Sequence, residues 1–359
     1  MRPGRGARLD AVLADRDLDS IWVLDPVNVA WLLGADTVVD SSSQTGVAAV
    51  GYDGEAVTAV VPSNDADRLR TEELPDTVTV EPFDWTAGVV EGVLPDLTVG
   101  ARGADVPLPG FEPVEATAFT HPLVEADLAT YREVGAATAA AVEGAARSAD
   151  ATSTEREVAA DLRARLARRD VTATVVLVGG AARAQRYRHP TPQDTTLGGY
   201  AVVSVTGRRN GLHASCTRTV TFDAPGWLRE RHATACRIEA EAVAATERVA
   251  AAGGSAAEVF AAIRDAYASV GWPDEWRAHH QGGATGYAGR AWVATPDADM
   301  GVEVPMGYAY NPTVAGAKSE DTHLLTADER EVLTATGDWP TIAVDAGDVV
   351  LERPAVLPI

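Results

Sequence analysis

Two short capping boxes, about a hundred residues apart, constrain this chain more than anything else in it: Thr154-Glu155-Arg156-Glu157 and Ser255-Ala256-Ala257-Glu258. In each, a hydroxyl residue stands three places before a glutamate, so each side chain can satisfy the other's orphan backbone donor at a helix start. Each box follows an Ala-rich helical stretch. The first runs from Ala126 to about Ala149, and the second from about Trp227 to Ala252, where Gly253-Gly254 breaks it. Strand-like runs come next in both cases. They are Thr172–Val178, Gly199–Thr206 and Gly211–Phe222 after the first box, and Trp276–His280, Val302–Tyr310 and Lys318–Leu325 after the second. A helix-helix-strand-hairpin order that occurs twice predicts two like halves, a curved sheet backed by helices, and a site where the halves meet.

That pattern leaves the N-terminal third unexplained, and a chain of 359 residues exceeds one ordinary core. In that third, Ile21–Leu24, Val47–Val50 and Val57–Val61 read as strands, while Arg8–Leu13 and Asp65–Leu69 read as helical. The Pro-bearing segment Val106–His121 reads as a linker. The expectation is an α+β chain with an α/β domain at 1–122 and the duplicated domain at 123–359.

Charge narrows the functional classes. The net charge is −22, and Lys318 is the single lysine. Such self-repulsion suits strong salt screening, so the composition resembles that of an extreme halophile. An acidic surface excludes nucleic acid and anionic membrane as partners. No apolar run approaches the ~20 residues of a membrane span. No apolar stretch follows the arginines of MRPGRGARLD, and the only cysteines are Cys216 and Cys236. A cytoplasmic address with both thiols buried and unpaired is expected.

Chemistry-bearing residues concentrate in a few segments: RYRHPTPQDTTL (186–197), AVVSVTGRRNGLHASCTRT (201–219), HHQGGATGYAGR (279–290), YNPTVAG (310–316) and KSEDT (318–322). In this order they resemble the pita-bread metallopeptidases, that is, Xaa-Pro aminopeptidases, prolidases, methionine aminopeptidases and their non-metal relative creatinase. NVAWLLGAD, Asn28–Asp36, resembles the signature of the creatinase/prolidase N-terminal domain. The resemblance implies a creatinase-like N-terminal domain followed by a pita-bread domain, and a homodimer. It aligns Ser204 and Ser215 with the family's two hairpin aspartates, His280 with its ligand histidine, Asn311 with the Glu of Glu-Pro-Gly, and Glu320 with its last Glu. Three of these five positions carry no carboxylate. A pair of divalent ions needs several anionic oxygens, and Ser or Asn oxygens are poor substitutes. The expectation is no metal and no other cofactor, with a mononuclear zinc on His189, His213, His280 and Glu320 as a lesser alternative.

The resemblance also assigns roles. His189 matches the family's His-x-x-Pro histidine, and an imidazole can accept and donate a proton near neutrality. Creatinase retains counterparts of His189 and Glu320 without a functional metal centre. Here His189, Glu320 and His280 are expected to be catalytic, with Glu320 hydrogen-bonding a substrate nitrogen. Arg290, Tyr287, Ser204, Ser215, Asn311 and His213 are expected to bind substrate, Arg290 by gripping a carboxylate with two parallel hydrogen bonds. Alternation along a strand would aim His280 at the site and His279 away, although a shift of one residue would exchange them. Three readings follow. The chain is a metal-independent hydrolase of a C–N bond in a small substrate, or an Xaa-Pro aminopeptidase or dipeptidase with atypical ligands acting on short peptides, or a non-catalytic ligand-binding homologue.

Overall fold

The computed structural model describes every residue except Asp348. The chain divides into two compact units, Met1–Ala126 and Asp127–Ile359. The first unit holds a six-stranded mixed sheet in the order Thr79–Phe83, Val57–Pro62, Ala49–Tyr52, Ser20–Val23, Arg102–Ala104 and Glu112–Pro113. The segment expected to be a linker is part of this unit. Glu112–Pro113 is its edge strand, and Phe111, Val114 and Phe119 are buried in it. Proline suits that edge, since its missing N–H costs no ladder bond there. NVAWLLGAD forms the helix Pro26–Leu33, capped by the Asp25 carboxylate on the Val27 amide and ended by Gly34 in the left-handed region.

In the second unit both capping boxes form, opening the helices Glu155–Ala167 and Ala256–Ser269. Each follows a long helix, Glu125–Ser148 and Leu228–Ala252. Behind the first pair lies an antiparallel sheet of Thr172–Gly180, Tyr200–Arg209 and Leu212–Thr221, with Leu357–Pro358 added in parallel at the edge. The second half supplies Gly282–Thr285, Met306–Tyr310, Asp321–Leu325 and Arg330–Val332. One expectation fails here. Trp276–His280 is not a strand, because Glu275–Ala278 makes one 3₁₀ turn, with Trp276 set edge-on against Phe260.

Period-two alternation divides the hairpin cleanly. Ala201, Val203, Val205, Cys216 and Val220 face the helices and pack with Ala141, Val142, Val158, Leu162 and Leu166. Ser204, Thr206, Ser215 and Thr217 take the other face, as the hydroxyl pairs Ser204–Thr217 and Thr206–Ser215. Register is fixed by a two-residue turn in which Asn210 and Gly211 both have positive φ, 51° and 78°, which Asn-Gly adopts most readily.

Cys216 and Cys236 are both free and buried. Burial drives the Cys216 thiol far above its ordinary range. Neither thiol should react with a disulfide reagent in the native protein, and both should react after denaturation. A fast native-state reaction would contradict this packing.

Candidate functional site

The two sheets are stitched together along the polar face of the hairpin. The Ser215 amide donates to the Thr322 hydroxyl at 2.7 Å, and that hydroxyl donates back to the Ser215 carbonyl at 2.9 Å. The Thr217 amide donates to the Glu320 carbonyl at 2.8 Å, and the His213 amide to the Gly286 carbonyl at 2.8 Å. Above this seam opens a cavity of about 480 Å³. Its polar lining is Thr174, His189, Ser204, Thr206, His213, His280, Arg290, Asn311, Lys318 and Glu320, and its apolar wall is Val175 and Leu177.

His189 comes from the irregular loop after Ala181–Ala184, and a buried carboxylate fixes that loop. Glu155, the first residue of its helix, accepts from the amides of Gly180 at 2.9 Å and Gln193 at 3.0 Å, and also from Arg183. The loop thus returns over the sheet, with Pro190 closing on Val178. His280 reaches the cavity from the turn before Gly282–Thr285. There Gly282 has φ 90°, and a side chain on it or on Gly283 would strike the backbone of Ala309 or Trp292 at 2.1 Å. These glycines let the strand that follows His280 lie close to its neighbours.

His279 does not line the cavity, but residues 279–281 are not in a strand, so alternation is not the cause. The rings of His189, His279 and His280 form a triangle with centroids 5.7 Å apart on every side. Of the three, His189 and His280 line the cavity. All are held toward the neutral form. Burial and Lys318 lower His189, with Glu320 opposing. Burial, Arg290 and His189 bring His280 to about 4, and burial with Lys318 brings His279 to about 3.

At the floor lies Glu320, engaged on both oxygens. Oε2 takes the Lys318 ammonium at 2.7 Å and the Thr217 hydroxyl at 3.0 Å, and Oε1 takes Arg290 Nη2 at 3.1 Å. Burial alone would raise this carboxyl, but Lys318 and then Arg290 outweigh it and bring it down to about 2. Its contribution to stability is therefore complete above the ordinary value of 4.5 and is lost as pH falls from there through about 2. Lys318 also donates to Ser204 Oγ at 3.1 Å, and Ser204 lies 2.7 Å from Thr217 Oγ1. Because the one proton of Thr217 is committed to Glu320, Ser204 must donate to Thr217. The ring Lys318–Ser204–Thr217–Glu320 is closed, and the serine hydroxyl is turned away from any attacking role.

Four expectations about individual side chains need correction. Ser215 is fully buried beneath Thr206 and does not line the cavity. Tyr287 also does not line it, since its hydroxyl donates to the Asp127 carboxylate at 2.7 Å. Arg290 cannot present an empty fork, because Nη2 is on Glu320 and Nη1 on the Gly289 carbonyl at 2.7 Å, leaving Nε as the buried nitrogen without a partner. Glu320 has no oxygen to spare for a substrate nitrogen. His213 does line the cavity, with its Nδ1 3.2 Å from the Gly286 carbonyl, and burial, reinforced by Arg208 and Arg290, lowers it to about 4. Asn311 also lines it, with Oδ1 buried and unpartnered. Lys318 and Thr217 escaped the sequence reading. The signal was present, since the chain's only lysine stands two residues before Glu320 and Thr217 two after Ser215.

With this geometry in view, the comparisons with known proteins fall into place. Residues 129–327 match the model of metallopeptidase family M24, and residues 5–145 match the creatinase/prolidase N-terminal domain. The chain belongs to the M24 family and has its pita-bread fold. Among solved structures it is similar to a prolidase from Pyrococcus furiosus, with 17% identity over 91% of this chain and 99% of that one and a TM-score of 0.73. The dipeptidase PepE from Mycobacterium ulcerans is similar at 19% identity over 99% and 97%, TM-score 0.73. So is the N-terminal domain of the FACT complex subunit SPT16 from Cicer arietinum, at 13% identity over 93% and 96%, TM-score 0.67. No curated protein matches the chain in sequence.

The family name implies metal ions, and the donors present do not fit a pair of them. The aligned positions offer three neutral oxygens, one imidazole, and one carboxylate already bonded to two side-chain cations. A divalent ion at Glu320 would sit against an ammonium and a guanidinium, both repelling it. Among the described residues, no three His, Cys, Asp or Glu side chains are grouped as a ligand set could be.

Proposed function

We propose that this M24 member hydrolyses a C–N bond in a small substrate without a metal, acting as a homodimer in the cytoplasm. His189 takes a proton from water as the water attacks the carbon. It returns that proton to the nitrogen as the C–N bond breaks, leaving an acid and an amine. His280 offers a second neutral imidazole beside the reacting atoms. Glu320 holds Lys318 and Arg290 in place and is a positioning residue. The observation that carries this reading is the saturation of Glu320 by Lys318, Thr217 and Arg290. The site's one carboxylate is bonded internally, while two imidazoles stay neutral and face the cavity.

The test is amine release from a panel of small amides, ureas and amidines, with chelator present throughout. Turnover should persist in chelator. Because the neutral form of His189 is the active one and its pKa lies below the ordinary 6.5, the acid limb of kcat/KM should fall below pH 6.5. Activity abolished by chelator and restored by zinc or manganese would favour the atypical peptidase instead. The likeness to a FACT subunit domain supports a second reading, a ligand-binding protein, since a fold shared by peptidases and a complex subunit fixes no reaction. Saturable binding without turnover across the panel would favour that one.

A further inference from the structure

One carboxylate ties together the three segments that furnish the cavity. Glu275 opens the 3₁₀ turn that leads into His279 and His280. Its Oε1 takes the guanidinium of Arg188, the residue just before His189, from the other half of the domain. Both side chains are largely buried, 19% and 14% exposed. The same oxygen accepts from the Ala315 amide at 3.2 Å. Ala315 sits in the turn that pairs Thr313 with Lys318, at φ 30°, a conformation an L residue holds only where its surroundings impose it. Here they do so from both sides, since Arg231 donates to the Ala315 carbonyl at 2.8 Å.

The three ties are not equal. The turn carrying His279 and His280 has a second anchor, because Gln281 Nε2 donates to the Trp276 and His279 carbonyls at 3.1 and 2.8 Å. Tyr267 in turn donates to Gln281 Oε1 at 2.9 Å. The loop of His189 is bonded to its own half by Glu155 and by the Pro190 carbonyl on Val178, and it crosses to the second half through Arg188. We infer that Arg188 and Glu275 are positioning residues, whose ion pair sets the distance between His189 and His280 across the two halves. An ionised donor on an ionised acceptor gives such a tie its strength and direction. The kinetic consequence rests on the hydrolytic reading above, whereas the spacing of the two rings does not.

Protein carrying ¹³C only in its histidine rings has seven ring systems to assign, by single substitutions. In the native protein, nuclear Overhauser contacts should link His189 to His280 and His279 to His280, whose ring centres are 5.7 Å apart. In Arg188→Met the first contact should vanish and the second should stay, because Gln281 still holds the turn. Arg188→Lys keeps a cation within reach of Glu275 and should retain both. On a substrate from the amide panel, Arg188→Met should lower kcat by about tenfold to a hundredfold with KM changing much less, the scale of a misplacement of roughly 1 Å. Arg188→Lys should recover most of that rate. An intact His189–His280 contact or undiminished kcat in Arg188→Met would overturn the inference. So would loss of both contacts together, or a lysine variant as slow as the methionine one, since the pair would then only prop the fold. If the native protein turns over nothing in the panel, the hydrolytic reading fails alone and the Overhauser contacts decide. Should Arg188→Met not fold, Glu275→Gln carries the same measurements from the other side of the pair.

Discussion

His189→Ala should lower turnover of any substrate found for this protein by about a hundredfold or more, the usual scale of general acid–base catalysis. The side chain is exposed on the cavity and makes no anchoring hydrogen bond to the fold, so its loss should leave stability within a few tenths of a kcal/mol, as is usual for surface positions. KM should change less than kcat, because the proton transfer belongs to the transition state. The loop itself is held by Glu155 and by Arg188 on Glu275, neither of which the substitution touches. Full turnover in the alanine variant, measured by amine release, would remove His189 from the mechanism.

Arg218→Met should be nearly as severe, acting on the fold. Behind the site, buried Arg218 donates to Glu143 at 3.1 Å, Asp321 at 3.0 Å and the carbonyls of Thr217 and Thr334 at 2.9 and 2.6 Å. Arg353 completes the cluster on Asp321 and on Glu239 at 3.0 Å. Removing Arg218 leaves Glu143 in the interior without its cation and Asp321 with Arg353 alone, and breaking a buried pair from one side costs about 3–5 kcal/mol. In a domain this size that lowers Tm by roughly 6–20 °C. A shift under about 2 °C, the scale of a surface change, would mean that the cluster is hydrated or rearranges. Asp321 adjoins Glu320, so the variant should also loosen the cavity floor.

How much of this was legible depended on whether a feature was local. Capping boxes are complete within four residues, so Thr154–Glu157 and Ser255–Glu258 marked the paired helices correctly. The hairpin is legible apart from its turn: strands are expected over Gly199–Thr206 and Gly211–Phe222, but the first continues to Arg209 and leaves only Asn210-Gly211 as the turn. The misreadings came from tertiary context. Alternation does not govern His279 and His280, which follow a 3₁₀ turn and lie outside any strand. The motif puts Tyr287 at the site, while Asp127 claims its hydroxyl from 160 positions away. The motifs present Glu320 and Arg290 as groups awaiting a substrate, although they bond each other across 30 positions. Lys318 is conspicuous in composition as the single lysine, but only the folded chain shows its ammonium on Glu320. The prolines of Val106–His121 signal a linker or an edge strand equally well, and only the burial of Phe111 and Val114 separates the two.

The site is a cleft whose cations are side chains, Lys318 and Arg290 on Glu320. Its most direct measurement is metal stoichiometry by elemental analysis, with and without dialysis against Mn²⁺ and Zn²⁺, set beside calorimetric titration of the chelator-treated protein. Far less than one ion per chain is expected in every preparation, with no binding heat at micromolar metal and unchanged amine release. One or two ions per chain, bound tightly and required for activity, would contradict it.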